Sequence, residues 1–125
     1  MKIIYVAGKY TAKTRNDIAE NIKKAEDASV SLLKQGWGVF TPHKNTSHYE
    51  QYEDEDLTYE TWIELGLEML SRCDAIFMLR NWKDSKGACR ERELAASLEM
   101  PIFYEEDGYP NSDAEIIPPL SVSRG

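Results

Sequence analysis

The residue types and spacings best suited to chemistry fall between positions 85 and 95. Glu91 lies three residues after Ala88 and four before Ala95, so the three share one face of any helix through this segment. A carboxylate on an apolar stripe is costly unless it finds a partner or borders a cavity. Two readings follow: Glu91 pairs with an arginine such as Arg72, or it points into a cleft where it can react. Glu93 falls roughly 200° further round the same helix and should face solvent. Just upstream, Ser85-Lys86-Gly87-Ala88 opens the helix. Free amide donors and the positive end of the dipole make a helix start an anion site. Gly87 lets a ligand approach the backbone and Ser85 adds a hydroxyl, although capping alone also explains such a motif. One helical turn would thus present a phosphate cradle and a carboxylate together.

Other polar residues are more ambiguous. Tyr5 sits inside an apolar run, and a tyrosine there needs a partner for its hydroxyl. Glu91 is one candidate, and an ordinary core role is the other. Asp74 reads as a turn residue between a helix and a strand, at the end of the strand away from any cleft, and is not counted as catalytic. His43 follows Pro42 and is either an acid/base group or a solvated loop histidine. Lys9 and Arg15 add positive charge near the start of the chain. No Ser-His-Asp set, P-loop or Gly-x-Gly-x-x-Gly is present.

The elements that must position these groups alternate in type. Ile3 to Ala7 is an apolar run of the kind covered on both faces in a parallel sheet. Arg15 to Gln35 is helical, with Ile18, Ile22, Ala25, Ser29, Leu32 and Leu33 as its stripe, Thr14 or Asn16 as N-cap and Gly36 as its stop. Trp37 to Thr41 is a second strand. A polar loop from 43 to 56 follows, carrying the acidic run Glu53-Asp54-Glu55-Asp56, which suits the start of the next helix. That helix, Thr58 to Arg72, has Trp62, Leu65, Met69 and Leu70 as its apolar positions. Asp74 to Leu79 is a third strand, Gly87 to Glu99 a helix with Ala88, Ala95 and Leu98 inward, and Pro101 to Tyr104 a fourth strand.

This alternation predicts an α/β fold: a three-layer sandwich around a flavodoxin- or Rossmann-like parallel sheet of four to five strands. Right-handed crossovers make 2-1-3-4 the simplest strand order. Ligands in such sheets bind at the carboxyl ends of the strands flanking the point where the winding reverses. The site is therefore expected between the loop at 8–15 and the loop at 80–87.

Composition narrows the function. The chain has 125 residues, room for one domain and not two. With 15 Lys plus Arg against 22 Asp plus Glu, the net charge is −7, the wrong sign for a protein that binds a phosphate backbone or an anionic membrane. Cys73 and Cys89 form no Cys-x-x-Cys pair, no zinc-ligand spacing is present, and no apolar stretch reaches the ~20 residues of a membrane span. The expectation is a cytoplasmic protein with reduced thiols that binds a small molecule, neither nucleic acid nor membrane, and takes no cofactor or metal.

Several motifs together resemble the nucleoside 2-deoxyribosyltransferase superfamily, in its branch of small bacterial and phage domains, close to the 2′-deoxynucleoside 5′-monophosphate N-glycosidases. They are Ile4-Tyr5-Val6-Ala7-Gly8 with Tyr10-Thr11-Ala12, then Asn21-Ile22, Ala25, Gly36, Pro42-His43 and Asn45. The most specific stretch is Cys73-Asp74-Ala75-Ile76, Trp82, Ser85-x-Gly87-Ala88-x-x-Glu91 and Ala95. The resemblance spans residues 3 to 105. It implies a domain over 1–105 and an irregular tail over 106–125, whose Ile116, Ile117, Leu120 and Val122 serve either a subunit contact or packing on their own chain.

What the resemblance implies chemically is a glutamate nucleophile, Glu91, that displaces the base at C1′ and leaves a covalent sugar–enzyme intermediate for water or a second base to resolve. Tyr5 would orient it. Gly8, Lys9, Tyr10, His43, Trp82, Ser85, Gly87 and Ala88 would bind substrate, and Asp74 would support either the fold or, from behind, the site residues. Ser85 stands where enzymes acting on free nucleosides tend to carry aspartate. A serine there favours a nucleoside 5′-monophosphate, because a carboxylate would repel its phosphate. Gly66 departs from the pattern, since relatives usually carry a substrate-binding aspartate at that place. The expected activity is hydrolysis, or base exchange, at the N-glycosidic bond of a (deoxy)nucleoside 5′-monophosphate. The alternatives are a non-catalytic nucleotide-binding module and a transferase acting on free nucleosides. The resemblance also implies a homodimer or homotetramer, with a neighbouring subunit completing the site.

Overall fold

A computed structural model of the chain describes residues 1–42 and 58–113. Its first strand, β1 (Ile3–Ala7), is followed by helix α1 (Arg15–Lys34) and strand β2 (Gly38–Phe40). Helix α2 (Tyr59–Ser71), strand β3 (Ala75–Met78), helix α3 (Lys86–Ser97) and strand β4 (Ile102–Tyr104) complete the described core. The four strands are all parallel in the order β2-β1-β3-β4. This is the α/β sandwich that the alternation predicts, and the winding reverses between β1 and β3.

The strands bury both faces, as a parallel sheet with helices on either side requires. On β1, Ile4 and Val6 pack into one core with Ala25, Ala28 and Leu32 of α1. Tyr5 and Ala7 pack into the other, with Leu70 of α2 and Ala88 and Ala95 of α3. β3 alternates in the same sense, Ala75 and Phe77 toward α1, Ile76 and Met78 toward α2 and α3. Complete burial of side chains of this size stabilises by roughly 1.5–3 kcal/mol each, so the two apolar layers hold the sheet between them.

Local signals set the helix ends. Thr14 is the N-cap of α1, its hydroxyl accepting from the Asp17 N–H, and Gly36 follows the helix with a left-handed φ of +96°. Thr58 and Thr61 form a reciprocal capping box at the start of α2. Ser85 caps α3, accepting from the Ala88 N–H.

The inward stripes differ from expectation at their edges. Leu33 is 54 % exposed, Leu65 40 % and Leu98 48 %. On α1 the buried positions are Asn21, Ala25, Ala28 and Leu32, so the helix is rotated toward the small residues that allow close approach to the sheet. On α2 the buried residues are Gly66 and Leu70, and on α3 Leu98 lies past the last helical residue, as its C-cap.

Past β4 the described chain folds back on itself. The Trp37 indole donates to the Pro110 carbonyl at 2.8 Å, Tyr109 stacks on Phe77, and the Ser112 N–H donates to the Gln35 carbonyl. Ile116, Ile117, Leu120 and Val122 lie outside the described residues.

Candidate active site

Tyr5 occupies the middle of β1 on the face covered by α2 and α3. Its ring is fully buried and stacks on Phe40 of β2 with centroids 5.5 Å apart. That packing aims the hydroxyl at α3, where Glu91 sits between the two alanines that hold the helix to the sheet. The Tyr5 hydroxyl donates to Oε2 of Glu91. No described residue bonds to the other carboxylate oxygen, Oε1. Arg72, the alternative partner, instead lies 3.8 Å from Glu68, and Glu93 is exposed.

Burial governs the electrostatics of this pair. The Glu91 carboxyl is pushed up from 4.5 to about 7, because burial disfavours its charged form. The Tyr5 hydrogen bond works against that rise. Tyr5 itself is raised well above the ordinary tyrosine range by burial and then by the neighbouring carboxylate, so it stays a donor. A carboxylate that titrates near neutrality, held by one oxygen with the other unbonded, is suited to nucleophilic or acid–base work.

α2 closes over the pair through Gly66. A Cβ at that position would lie 2.9 Å from Tyr5 Oη and 3.3 Å from Glu91 Oε2. On the outer surface Arg90 pairs with Glu60 at 3.1 Å, tying the start of α2 to α3. Both side chains are roughly half exposed there, so the pair contributes at most about 1 kcal/mol.

The loops flanking the reversal of winding are tied together. The Lys9 N–H donates to Oδ1 of Asn81 at 2.9 Å, and the Leu79 N–H to the Ala7 carbonyl at 2.8 Å. Gly8 makes this approach possible, since a Cβ there would meet Leu79 Cδ1 at 2.5 Å and Asn81 Oδ1 at 2.9 Å. The Tyr10 carbonyl accepts from the buried Asn21 amide at 3.2 Å. Sequence reasoning missed the roles of both asparagines. Asn21 did leave a signal, a polar residue three after Ile18 and four before Ala25 on the inward stripe, whereas nothing in the spacing distinguished Asn81 from any loop asparagine.

Ser85, Gly87 and Ala88 form the first turn of α3, one turn from Glu91. The Ser85 hydroxyl accepts from the Ala88 N–H at 3.1 Å and keeps its own proton to donate. The Lys86 and Gly87 N–H groups have no partner among the described residues. Trp82, in the 3-10 turn Trp82–Asp84, stands 6.1 Å from the Tyr104 ring with the Arg92 guanidinium 5.1 Å over its face. It is thus braced by Tyr104 and Arg92. Asp74 is exposed at the opposite end of β3, where Oδ2 accepts from the Ile3 N–H at 2.7 Å; it closes the sheet's amino edge, in keeping with a structural role. His43 and the acidic run at 53–56 lie outside the described residues. The described residues hold no group of three or more His, Cys, Asp or Glu able to bind a metal, and no described helix is long and apolar enough to cross a membrane.

Comparison with known proteins adds three findings. The family described as Domain of unknown function (DUF4406) matches residues 2–104. No curated protein matches by sequence. Among solved structures, the fold is similar to that of a 2-deoxyribosyltransferase from Bacillus psychrosaccharolyticus, with a TM-score of 0.60 and 20 % identity over 94 % of this chain and 99 % of that one. It is also similar to the CMP N-glycosidase BcmB of Clostridium botulinum, with a TM-score of 0.55 and 16 % identity over 82 % of this chain and 70 % of the other. At these identities the likeness is one of fold, and the fold is the one that the sequence motifs imply.

Proposed function

The chain belongs to the family described as Domain of unknown function (DUF4406), and we propose that it breaks the N-glycosidic bond of a (deoxy)nucleoside 5′-monophosphate with Glu91 as nucleophile. The observation that carries this reading is the Tyr5–Glu91 pair, its tyrosine buried and its carboxylate half-buried, set beside the first turn of α3 where the sheet's winding reverses. The two fold neighbours, one named for deoxyribosyl transfer and one for N-glycoside cleavage, support the same class of reaction.

In this mechanism a Glu91 oxygen attacks C1′ of the sugar and the base departs with the bonding electrons. Tyr5 holds the carboxylate in line and bears part of its charge until the ester forms. Water then attacks C1′ and releases the sugar phosphate; a second base in its place gives exchange. Only the ionised carboxylate attacks, so the rate should rise with pH through about 7, the midpoint to which burial lifts Glu91. The 5′-phosphate is held by the Ser85 hydroxyl and the open N–H groups at the start of α3. These are neutral donors, in keeping with a chain whose net charge is −7. The site is finished by a second copy of the chain.

The test is base release from a panel of nucleoside and deoxynucleoside 5′-monophosphates and the matching free nucleosides, followed by chromatography. Wild type should release base from at least one monophosphate. Glu91→Ala should release none while keeping the wild-type circular dichroism. Silence of the wild type across the panel would remove the reaction for those substrates. Gly66, where the resemblance implies a substrate-binding aspartate, favours a second reading, a nucleotide-binding module without turnover. Calorimetric binding of a monophosphate with no base released over hours would establish that one instead.

A further inference from the structure

Gly66 lies inside a helix of 13 residues, Tyr59–Ser71, where glycine is among the least favourable residues. Helices accept it when a close approach demands it. Here the approach is to the reacting pair itself: the two atoms that a Cβ at 66 would crowd most are Tyr5 Oη, at 2.9 Å, and Glu91 Oε2, at 3.3 Å. Contacts this short force either the side chains or the helix to shift. Oε2 is therefore enclosed on two sides, by the Tyr5 hydroxyl that donates to it and by the backbone of α2. Oε1 has no bonding partner among the described residues.

We propose that Gly66 is a positioning residue: by lacking a side chain it lets α2 lie directly against the Tyr5-bound oxygen of Glu91, so that only the opposite oxygen remains open to a substrate. On this backbone an aspartate at position 66 has no room beside the pair. The space a side chain at position 66 would take is used here to close α2 over the Tyr5-bound oxygen of Glu91. The seal also removes water from Glu91, and burial is the largest contribution to its raised proton affinity. Naming Oε1 as the attacking atom rests on the glycosidase reading; the positioning role does not.

The contact with Tyr5 makes the proposal testable without substrate. Tyr5→Phe deletes the oxygen that a Cβ at position 66 would meet first. In the Tyr5 protein, Gly66→Ala should lower Tm and move the Glu91 carboxyl midpoint, followed by 13C NMR, down by about one unit or more, a tenfold change in proton affinity. The shift is downward because a displaced Glu91 regains water, which outweighs the loss of the Tyr5 bond. In the Tyr5→Phe background the same change should be harmless or raise Tm, since alanine is the better helix former. Non-additivity of this kind is the mark of direct contact. If Gly66→Ala has the same effect in both backgrounds, glycine serves only the spacing of the two helices and the proposal fails. An unmoved Glu91 midpoint overturns it equally. Coupling in a wild type that releases no base would uphold the positioning role and overturn only the choice of attacking oxygen.

Discussion

Replacing Glu91 by glutamine should make the protein more stable, by an amount set by pH. The carboxyl titrates at 4.5 when exposed and at about 7 in the folded chain. The folded state thus holds the proton more tightly than the unfolded chain does. Its stabilising contribution is complete below about pH 4.5 and is lost as pH rises through about 7. At 1.36 kcal/mol per pKa unit, the shift corresponds to about 3 kcal/mol at pH 8. Glutamine resembles the protonated acid in shape and still accepts from Tyr5, so it escapes this loss. Thermal unfolding of wild type and Glu91→Gln should give equal Tm values near pH 4. The gap should open between pH 4.5 and 7 and level off above, at on the order of 10 °C for a domain of this size. Base release should vanish in the variant at every pH. A Tm difference that stays flat from pH 4 to 8 would refute the argument that Glu91 is buried at a penalty. A variant less stable than wild type at pH 8 would refute it more strongly.

Two further substitutions separate the site from its scaffold. Ser85→Asp keeps a competent N-cap for α3 but sets a negative charge where the proposed reading places the phosphate. Like charges ~4 Å apart repel by between about 1 and 4 kcal/mol in a wet site, so KM for a 5′-monophosphate should rise about tenfold or more, while KM for the free nucleoside changes little; equal changes would place the phosphate elsewhere. Asp74→Ala removes the acceptor of the Ile3 N–H and should cost about 1 kcal/mol of stability, read as a lower urea midpoint, with kcat unchanged; a large fall in kcat would make Asp74 part of the site.

Much of this arrangement was legible in the sequence because it rests on periodicity. Ile3 to Ala7 and Ala75 to Met78 are apolar throughout, so they belong to strands covered on both faces. Glu91 stood out because a carboxylate between Ala88 and Ala95 breaks an apolar stripe, and Tyr5 because a phenol in a central strand needs a partner. What stayed hidden depends on distances that no spacing encodes. Leu33 and Leu98 read as inward by hydrophobicity. The helices instead bury a narrower stripe, Ala25, Ala28 and Leu32 on α1 and Ala88 and Ala95 on α3, and leave Leu33 and Leu98 at the rim. Gly66 was visible as a departure from a motif. That a side chain there would meet Tyr5 and Glu91, the two residues the motif singles out, follows only from how α2 lies across β1 and α3. Asn81 was silent for the same reason: its partner is a backbone N–H in a loop 72 residues away.

The bond from Lys9 to Asn81 has a consequence for how a ligand is received. Together with the Leu79-to-Ala7 bond, it extends the seam between β1 and β3 beyond the last paired residues of the strands. The two loops that flank the reversal of winding are thereby joined into one floor before any ligand arrives. The conformational entropy of ordering them is lost when the chain folds and not when a substrate binds. On the proposed reading, a substrate settling there would meet a floor already ordered, and its binding energy would remain available for the bond that is to break.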